Sequence, residues 1–297
     1  MSRIAVLGSA NMDLVVRQPR LPHPGETMFG SDFSTVPGGK GLNQAVAAAR
    51  AGGEVEFLGA VGADAFGSEL RDCLRREGIG VEGLATLDAP TGTAHIAVLD
   101  GGENSIVVVS GANVAQTELD EATRDRIAGS SYLVVQFERP ERLVTEALAF
   151  AREYGITTVV TPAPVRAVAP GLLSLVDILV PNEHEARELA GLDDELEAAR
   201  ALSEQAGIVV VTRGARGAVV ARGGELVTEV PPHPVVAVDT TAAGDTFVGV
   251  LVARLAAGEQ LDAALEAASV AAAISVTRPG ASTSMPGWDE IQAALRA

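Results

Sequence analysis

The sequence is poor in cysteine, lysine and aromatic residues, and each shortage removes a class of function. A single cysteine, Cys73, stands among 297 residues. It can form neither an intrachain disulfide nor a thiolate metal cluster. Its neighbours, Glu69-Leu70-Arg71-Asp72-Cys73-Leu74-Arg75, read as an amphipathic helix, which makes Cys73 structural. Aromatics are only 3% of the chain, which disfavours a base-stacking platform. Basic residues number 22 against 39 acidic ones, a net charge of −17. That excess repels phosphate backbones and anionic lipid alike, so neither nucleic acid nor membrane is an expected partner. No stretch is apolar and long enough to span a bilayer. The short apolar run at 4–7 lacks the charged lead of a signal peptide, so the expected location is cytoplasmic.

Apolar residues make up 47% and charged residues 21%, enough to bury a core. Short β-branched runs alternate with helical patterns. Strands are expected at 3–7, 55–60, 132–136, 157–161, 178–180 and 208–212. Helices are expected at 42–51, 65–77, 119–128, 141–154, 183–190, 194–206, 244–257 and 261–275. Alternation with nearly continuous apolar strands implies an α/β fold, a doubly wound and mostly parallel sheet covered on both faces. Two segments break that rhythm. Residues 14–36 carry Pro19, Pro22, Pro24 and Gly25, and residues 93–110 read as a hairpin turning at 100–104. They are expected to form a small accessory sheet within a single domain spanning 1–297. Ile106-Val107-Val108-Val109 is strongly apolar for such a sheet, and a second chain would cover it.

Two segments carry chemistry. Asp239-Thr240-Thr241-Ala242-Ala243-Gly244-Asp245-Thr246 opens the helical pattern Phe247, Val250, Leu251, Leu255. Small residues at a helix N-terminus form a cradle for phosphate. Asp245 in that first turn is either an ordinary cap or a base that takes a proton from an attacking hydroxyl. Near the other end, Asn11 and Asp13 follow the first strand and point the same way in an extended segment. They make an ordinary turn or a grip on neighbouring hydroxyls. Gly38-Gly39-Lys40-Gly41-Leu42-Asn43 then opens a helix, and Lys40 is the chain's only lysine. Codon bias explains scarce lysine but not its place among glycines at a helix start.

Other motifs fail on context. Gly78-Ile79-Gly80-Val81-Glu82-Gly83 fits G-x-G-x-x-G but follows a helix, so a dinucleotide fingerprint is rejected. There is no phosphate-binding G-x-x-x-x-G-K-[ST], no zinc-binding histidine pair and no G-x-S-x-G elbow. His23, His95, His184 and His233 are scattered.

The glycine-lysine segment and the 239–245 turn resemble the two signatures of the ribokinase-like (PfkB) carbohydrate kinases. The resemblance covers essentially the whole chain. It includes Asn11-Met12-Asp13, Pro24-Gly25-Glu26-Thr27, Pro181-Asn182-Glu183-His184-Glu185, Thr212-Arg213-Gly214-Ala215-Arg216-Gly217 and Val276-Thr277-Arg278-Pro279-Gly280. It implies a sugar kinase that transfers the γ-phosphate of ATP to the 5-hydroxyl of D-ribose. Asn11, Asp13, Gly39, Lys40, Gly41, Leu42, Asn43 and Glu138 would hold the sugar, and Asp245 would be the base. Amides of Ala242, Ala243 and Gly244 would stabilise the moving phosphoryl group. Asn182 and Glu185 would organise phosphate oxygens and hydrated Mg²⁺. Thr212, Arg213, Gly214, Ala215, Arg216 and Gly217 would line the nucleotide site with Ser269, where relatives often carry a larger His or Asn. Asp239, Thr241, Ser275, Arg278, Gly280 and Ser284 match positions that hold a monovalent cation, usually K⁺, and Pro279 stiffens that loop. The accessory strands would close as a lid and pair two subunits. The competing readings are a related kinase for deoxyribose, a ketohexose or a nucleoside, and a catalytically silent sugar-binding protein.

Overall fold

The computed structural model describes residues 2–101 and 103–296. The chain begins with β1 (Arg3–Leu7), β2 (Asn11–Gln18), β3 (Asp32–Gly38), α1 (Lys40–Arg50), β4 (Glu54–Gly62) and α2 (Ala65–Arg76). It continues through β5 (Leu84–Leu87), β6 (Gly92–Leu99), β7 (Asn104–Val109), α3 (Ala112–Ala115), α4 (Glu121–Ala128), β8 (Tyr132–Gln136), α5 (Glu141–Glu153) and β9 (Thr157–Thr161). Then follow β10 (Ile178–Leu179), α6 (Glu183–Ala190), α7 (Glu195–Ser203), β11 (Ile208–Thr212), β12 (Ala218–Arg222), β13 (Glu225–Val230), α8 (Ala243–Ala256), α9 (Leu261–Ser275) and α10 (Trp288–Leu295).

Nine strands form the main sheet in the order β13-β12-β11-β10-β9-β8-β1-β4-β5. The pairs from β11 through β8 and β1 to β5 are parallel, and β12 and β13 add an antiparallel edge. Alternate residues enter opposite cores: Ile4 and Val6 pack on one face, Ala5 and Leu7 on the other. Both faces are therefore dry, which is why the strands read as unbroken apolar runs. One core holds α1, α8 and α9, and the other holds α5 and α7. No helix among the described residues is long and apolar enough to cross a membrane.

Expected and observed elements differ chiefly at their ends. The helix expected at 42 starts at Lys40, because Gly39 turns the chain with φ 94° and its carbonyl accepts the Asn43 amide at 2.9 Å. The helices expected at 119 and 194 start at Glu121 and Glu195, since Asp120 and Asp194 are the caps. The hairpin β12–β13, the short β5 and the C-terminal α10 were not expected. In β12 the pattern is Ala-Val-Val-Ala-Arg, too apolar and short to separate by period from a helix.

The accessory segments form a four-stranded sheet, β3-β2-β6-β7. It is longer than expected, since β2 begins at Asn11, β3 ends at Gly38 and β6 begins at Gly92. The central pair β2–β6 is parallel and the outer pairs are antiparallel. Gly102, inside the expected turn at 100–104, lies outside the described residues. Ile106, Val107, Val108, Val109 and Phe33 are exposed on this sheet.

Close helix packing assembles the rest. Gly249 on α8 lies against α1 so tightly that a Cβ there would sit 2.5 Å from both Ala47 Cβ and the Gln44 carbonyl. The absent side chain lets the two helices approach, and that approach sets Asn43 and Gln44 beside Asp245.

Candidate active site

The site lies at the carboxyl ends of the parallel strands, where open α/β sheets bind ligands. A pocket of about 160 Å³ is lined by Lys40, Thr161, Asn182, Glu185, Thr212 and the start of α8 from Ala242 to Asp245. Ala242 has φ 58°, the only positive φ outside glycine among the described residues. Such a conformation costs an alanine about 1–2 kcal/mol. It turns the chain from the Asp239 loop directly into α8. The Ala242, Gly244 and Asp245 amides donate to no protein group among the described residues, while Ala243 donates to Thr240 O at 3.3 Å. A Cβ at Gly244 would meet nothing within 4 Å, so no protein atom requires this glycine. The space above it opens on the pocket, and free amides at a helix start suit phosphate.

Asp245 is buried in the first turn of α8. Its Oδ1 accepts from Gln44 Nε2 at 2.9 Å and its Oδ2 from Asn43 Nδ2 at 3.3 Å. Burial pushes its carboxyl above the usual range; Lys40, Gln44 and Asn43 pull it back, and Glu138 adds to the rise. The nearby Asp245 carboxylate pushes the Lys40 ammonium up against the effect of burial, with help from Glu138 and Glu185. The lone lysine is thus firmly charged. Its stem is half-buried at the first position of α1.

Asp13 projects from β2. Its carboxylate rests against Gly38, where a Cβ would come within 2.3 Å of Oδ2. No described residue donates a hydrogen bond to it. Burial, then the Glu138 charge, raises its pKa from 3.8 to about 7. Asn11 is oriented by Asn113, whose Nδ2 donates to Asn11 Oδ1 at 2.8 Å and to Ala10 O at 3.2 Å. The Asn11 NH₂ is therefore the group left for a ligand, so this amide donates rather than doing both. Asn43 is the complement: its Nδ2 is engaged by Asp245, and its buried Oδ1 has no partner. Glu138 accepts from the Ser9 hydroxyl and, at 3.1 Å, from the Lys40 amide, tying the β1–β2 turn to α1.

Other expected residues fall elsewhere. Leu42 is fully buried and its amide bonds Ser9 O at 3.0 Å, so it supports the site from the core. Gly39 and Gly41 supply closeness: a Cβ on Gly41 would lie 2.6 Å from Gly8 Cα. Asn182 and Glu185 make a reciprocal capping box at the start of α6, and both line the pocket. Burial pushes Glu185 up, opposed by its bond from the Asn182 amide and by Lys40. Thr212 reaches the pocket, whereas Arg216 turns to Glu183 and Glu195, and Arg213 to Glu229. Gly214 and Gly217 shape the loop with φ 54° and 78°, and Ala215 lies exposed between them. Ser269 on α9 donates to Pro231 O at 3.3 Å.

Asp239 accepts from Thr241 N at 2.9 Å, Thr241 Oγ1 at 2.6 Å and Gly280 N at 2.8 Å. Burial would raise its pKa, but these donors, with Arg17, hold it below the usual carboxylate range. Ser275 and Ser284 donate to Ala272 O and Ala281 O, leaving each oxygen as an acceptor. Arg278 instead pairs with Glu290.

Gln44, Gln136, Ser9, Asn113 and Thr161 escaped the sequence reading. Two carried a signal: Gln44 is a polar residue on an otherwise apolar helix face, and Gln136 ends an apolar strand with an amide.

A buried carboxylate beside unbonded helix-start amides and a charged lysine is an arrangement suited to phosphoryl transfer. Comparison agrees: residues 1–288 match the model of the pfkB family carbohydrate kinases, and the chain belongs to that family. It is 41% identical to the ribokinase of Haemophilus influenzae, covering 97% of this chain and 96% of that one. It is 39% identical to the ribokinase of Bacillus subtilis over 99% of this chain and 100% of that one. The Arabidopsis thaliana ribokinase complexed with ribose and ATP superposes with a TM-score of 0.93 at 28% identity, covering 100% and 99% of the two chains.

Replacing Gly244 by Val should fill the cradle without touching protein. Thermal stability should stay within about 1 kcal/mol of the wild type, while nucleotide binding measured by calorimetry is lost. Normal nucleotide affinity would place the phosphates elsewhere.

Proposed function

We propose that the protein phosphorylates the 5-hydroxyl of D-ribose with ATP, yielding D-ribose 5-phosphate and ADP. One observation carries the reading. Polar groups without protein partners gather around one buried charge cluster: Asn43 Oδ1 and the α8 amides lie beside Asp245, and the Asp13 carboxylate and Asp245 both feel the Glu138 charge, with the Asn11 NH₂ left free next to Asp13 on β2. The three side chains combine acceptors with a donor, as vicinal hydroxyls require, and the α8 amides suit a phosphoryl group. Ribose held by Asn11, Asp13, Lys40 and Asn43 aims one hydroxyl at the γ-phosphate. Asp245 takes its proton as the O–P bond forms, and the raised basicity that burial confers favours this transfer. Lys40 and the amides of Ala242, Gly244 and Asp245 neutralise the charge on the transferring group.

Mg²⁺ bound with ATP would neutralise phosphate charge and keep most of its waters. Glu185 fits that role through the carboxylate oxygen that the capping box leaves free, while Asn182, whose single side-chain oxygen accepts from the His184 and Glu185 amides, has its NH₂ left to donate to a phosphate oxygen. A monovalent cation, K⁺, fits the oxygen set of Asp239, Thr241, Ser275, Gly280 and Ser284, which includes a carboxylate and two acceptor hydroxyls. Arg278 acts there through its backbone, since its guanidinium is paired. The loop 212–217 and Ser269 line the nucleotide side. The small sheet is the lid that excludes water, and its exposed apolar strand β7 pairs two copies into a homodimer. The expected setting is the cytoplasm, with neither nucleic acid nor membrane as partner.

ADP release over a panel of ribose, 2-deoxyribose, fructose and a nucleoside, with and without K⁺, tests this. Ribose with K⁺ should be fastest, and Asp245→Asn should bind ribose yet lose about 10²–10⁴-fold in kcat. Near-normal turnover by Asp245→Asn would remove the base. Asp13 gives a pH signature. Protonation below about pH 7 removes an acceptor and its charge, so ribose KM should rise as pH falls from 8 to 6, and Asp13→Asn should flatten the profile. The same upward shift means that folding stability from this group falls as pH rises from 3.8 to about 7. Val107→Glu should give a monomer by light scattering; an unchanged mass would sink the lid contact.

A further inference from the structure

Gln44 and Gln136 are both fully buried and lie outside any ligand-contacting role so far described. Gln44 Nε2 donates to Asp245 Oδ1 at 2.9 Å and to Thr161 Oγ1 at 3.2 Å. Its Oε1 accepts from Gln136 Nε2 at 2.6 Å. The two ends of an amide differ only in which donates, so an isolated Gln44 could present either end to Asp245. Gln136 removes that freedom. Turning Gln44 over would set its NH₂ against the NH₂ of Gln136 and its oxygen against the Asp245 carboxylate. Gln136 is fixed by shape: its Oε1 is buried without a hydrogen-bond partner, and a Cβ on Gly8 would lie 2.4 Å from it. Leaving that oxygen unbonded is costly in a dry interior, so the arrangement calls for an account beyond packing.

We propose that Gln136 and Gln44 form a positioning relay in which Gln136, remote from the substrate, locks the Gln44 amide as a donor to the base Asp245. The relay holds one carboxylate oxygen still and keeps the base ionised. The other oxygen, bonded only to Asn43 at 3.3 Å, receives the proton. Charges facing the base from other elements are Lys40 on α1, Glu138 after β8 and Glu185 on α6. The first favours ionisation and the carboxylates oppose it, so the neutral relay is needed to assist Lys40. The inference rests on Asp245 as base.

The test uses the full chain with Gln136→Met and Gln44→Met, singly and together. Gln136→Met touches neither substrate nor base. It should lower kcat about tenfold, because a Gln44 amide freed to turn loses its hydrogen bond to the ionised base. KM for ribose and ATP should stay within about twofold. The acid limb of the kcat profile should move to higher pH, which a merely structural role would not cause. The double variant should be no worse than Gln44→Met alone. If Gln136→Met fails to fold, Gln136→Asn keeps a neutral amide but draws its donor back from Gln44 by one methylene, and carries the same expectations. An unmoved acid limb with normal kcat, or losses that multiply in the double variant, would overturn the relay. An inactive Asp245→Asn alongside that result leaves the base standing, whereas an active one removes base and relay together.

Discussion

A carboxylate held out of water constrains the rest of the molecule. As the proposed base, Asp245 needs to be basic enough to take a proton, yet burying an uncompensated charge is prohibitive. The fold meets both demands by ringing the group with Lys40, Asn43 and Gln44, all from one helix. That ring exists only because α1 and α8 touch, and they touch because Gly249 has no side chain. Helix packing and the polar ring are thus one arrangement: a methyl group between the helices would part Asp245 from its donors.

The polar groups of the site are sorted by direction. Asn113 turns Asn11 to donate outward, and Asp245 turns Asn43 to accept outward. Each ligand-facing amide is committed by a buried neighbour, so the site offers a fixed pattern of donors and acceptors. A flexible polar cavity would accept many sugars weakly. A committed one discriminates, because a misplaced hydroxyl leaves a buried group unpaired.

The two sheets divide the labour. The large sheet is buried on both faces, and its rigidity fixes β1, β8 and the helix starts at its carboxyl edge. The small sheet carries Asn11 and Asp13 and is open on one side. The proposed sugar-binding residues Asn11 and Asp13 therefore ride on the small sheet, the arrangement that the proposed lid requires.

The alternation of elements, the cradle at 242–245, the unusual Lys40 and the accessory hairpin were all legible in the chain, since each is a local pattern of period, turn chemistry or charge. Lys40 emerged as the chain's one lysine, set among glycines at a helix start, whereas Asp245 read equally as an ordinary first-turn cap and gained its chemical sense only from the small-residue cradle beside it. Sequence distance hid the rest. Gln44 and Gln136 are separated by 92 residues, and Asn113 reaches Asn11 across 102. Leu42 shows the converse, since it sits inside the motif yet faces the core. Arg216, too, lies in an expected nucleotide loop but is drawn to Glu183 and Glu195. By itself the sequence determined which groups could do the chemistry and which elements would bear them, because those depend on short-range backbone and side-chain preference. Only the tertiary structure decided which way each amide points and which charges share a dry pocket, because hydrogen-bond direction and burial are set by neighbours distant along the chain.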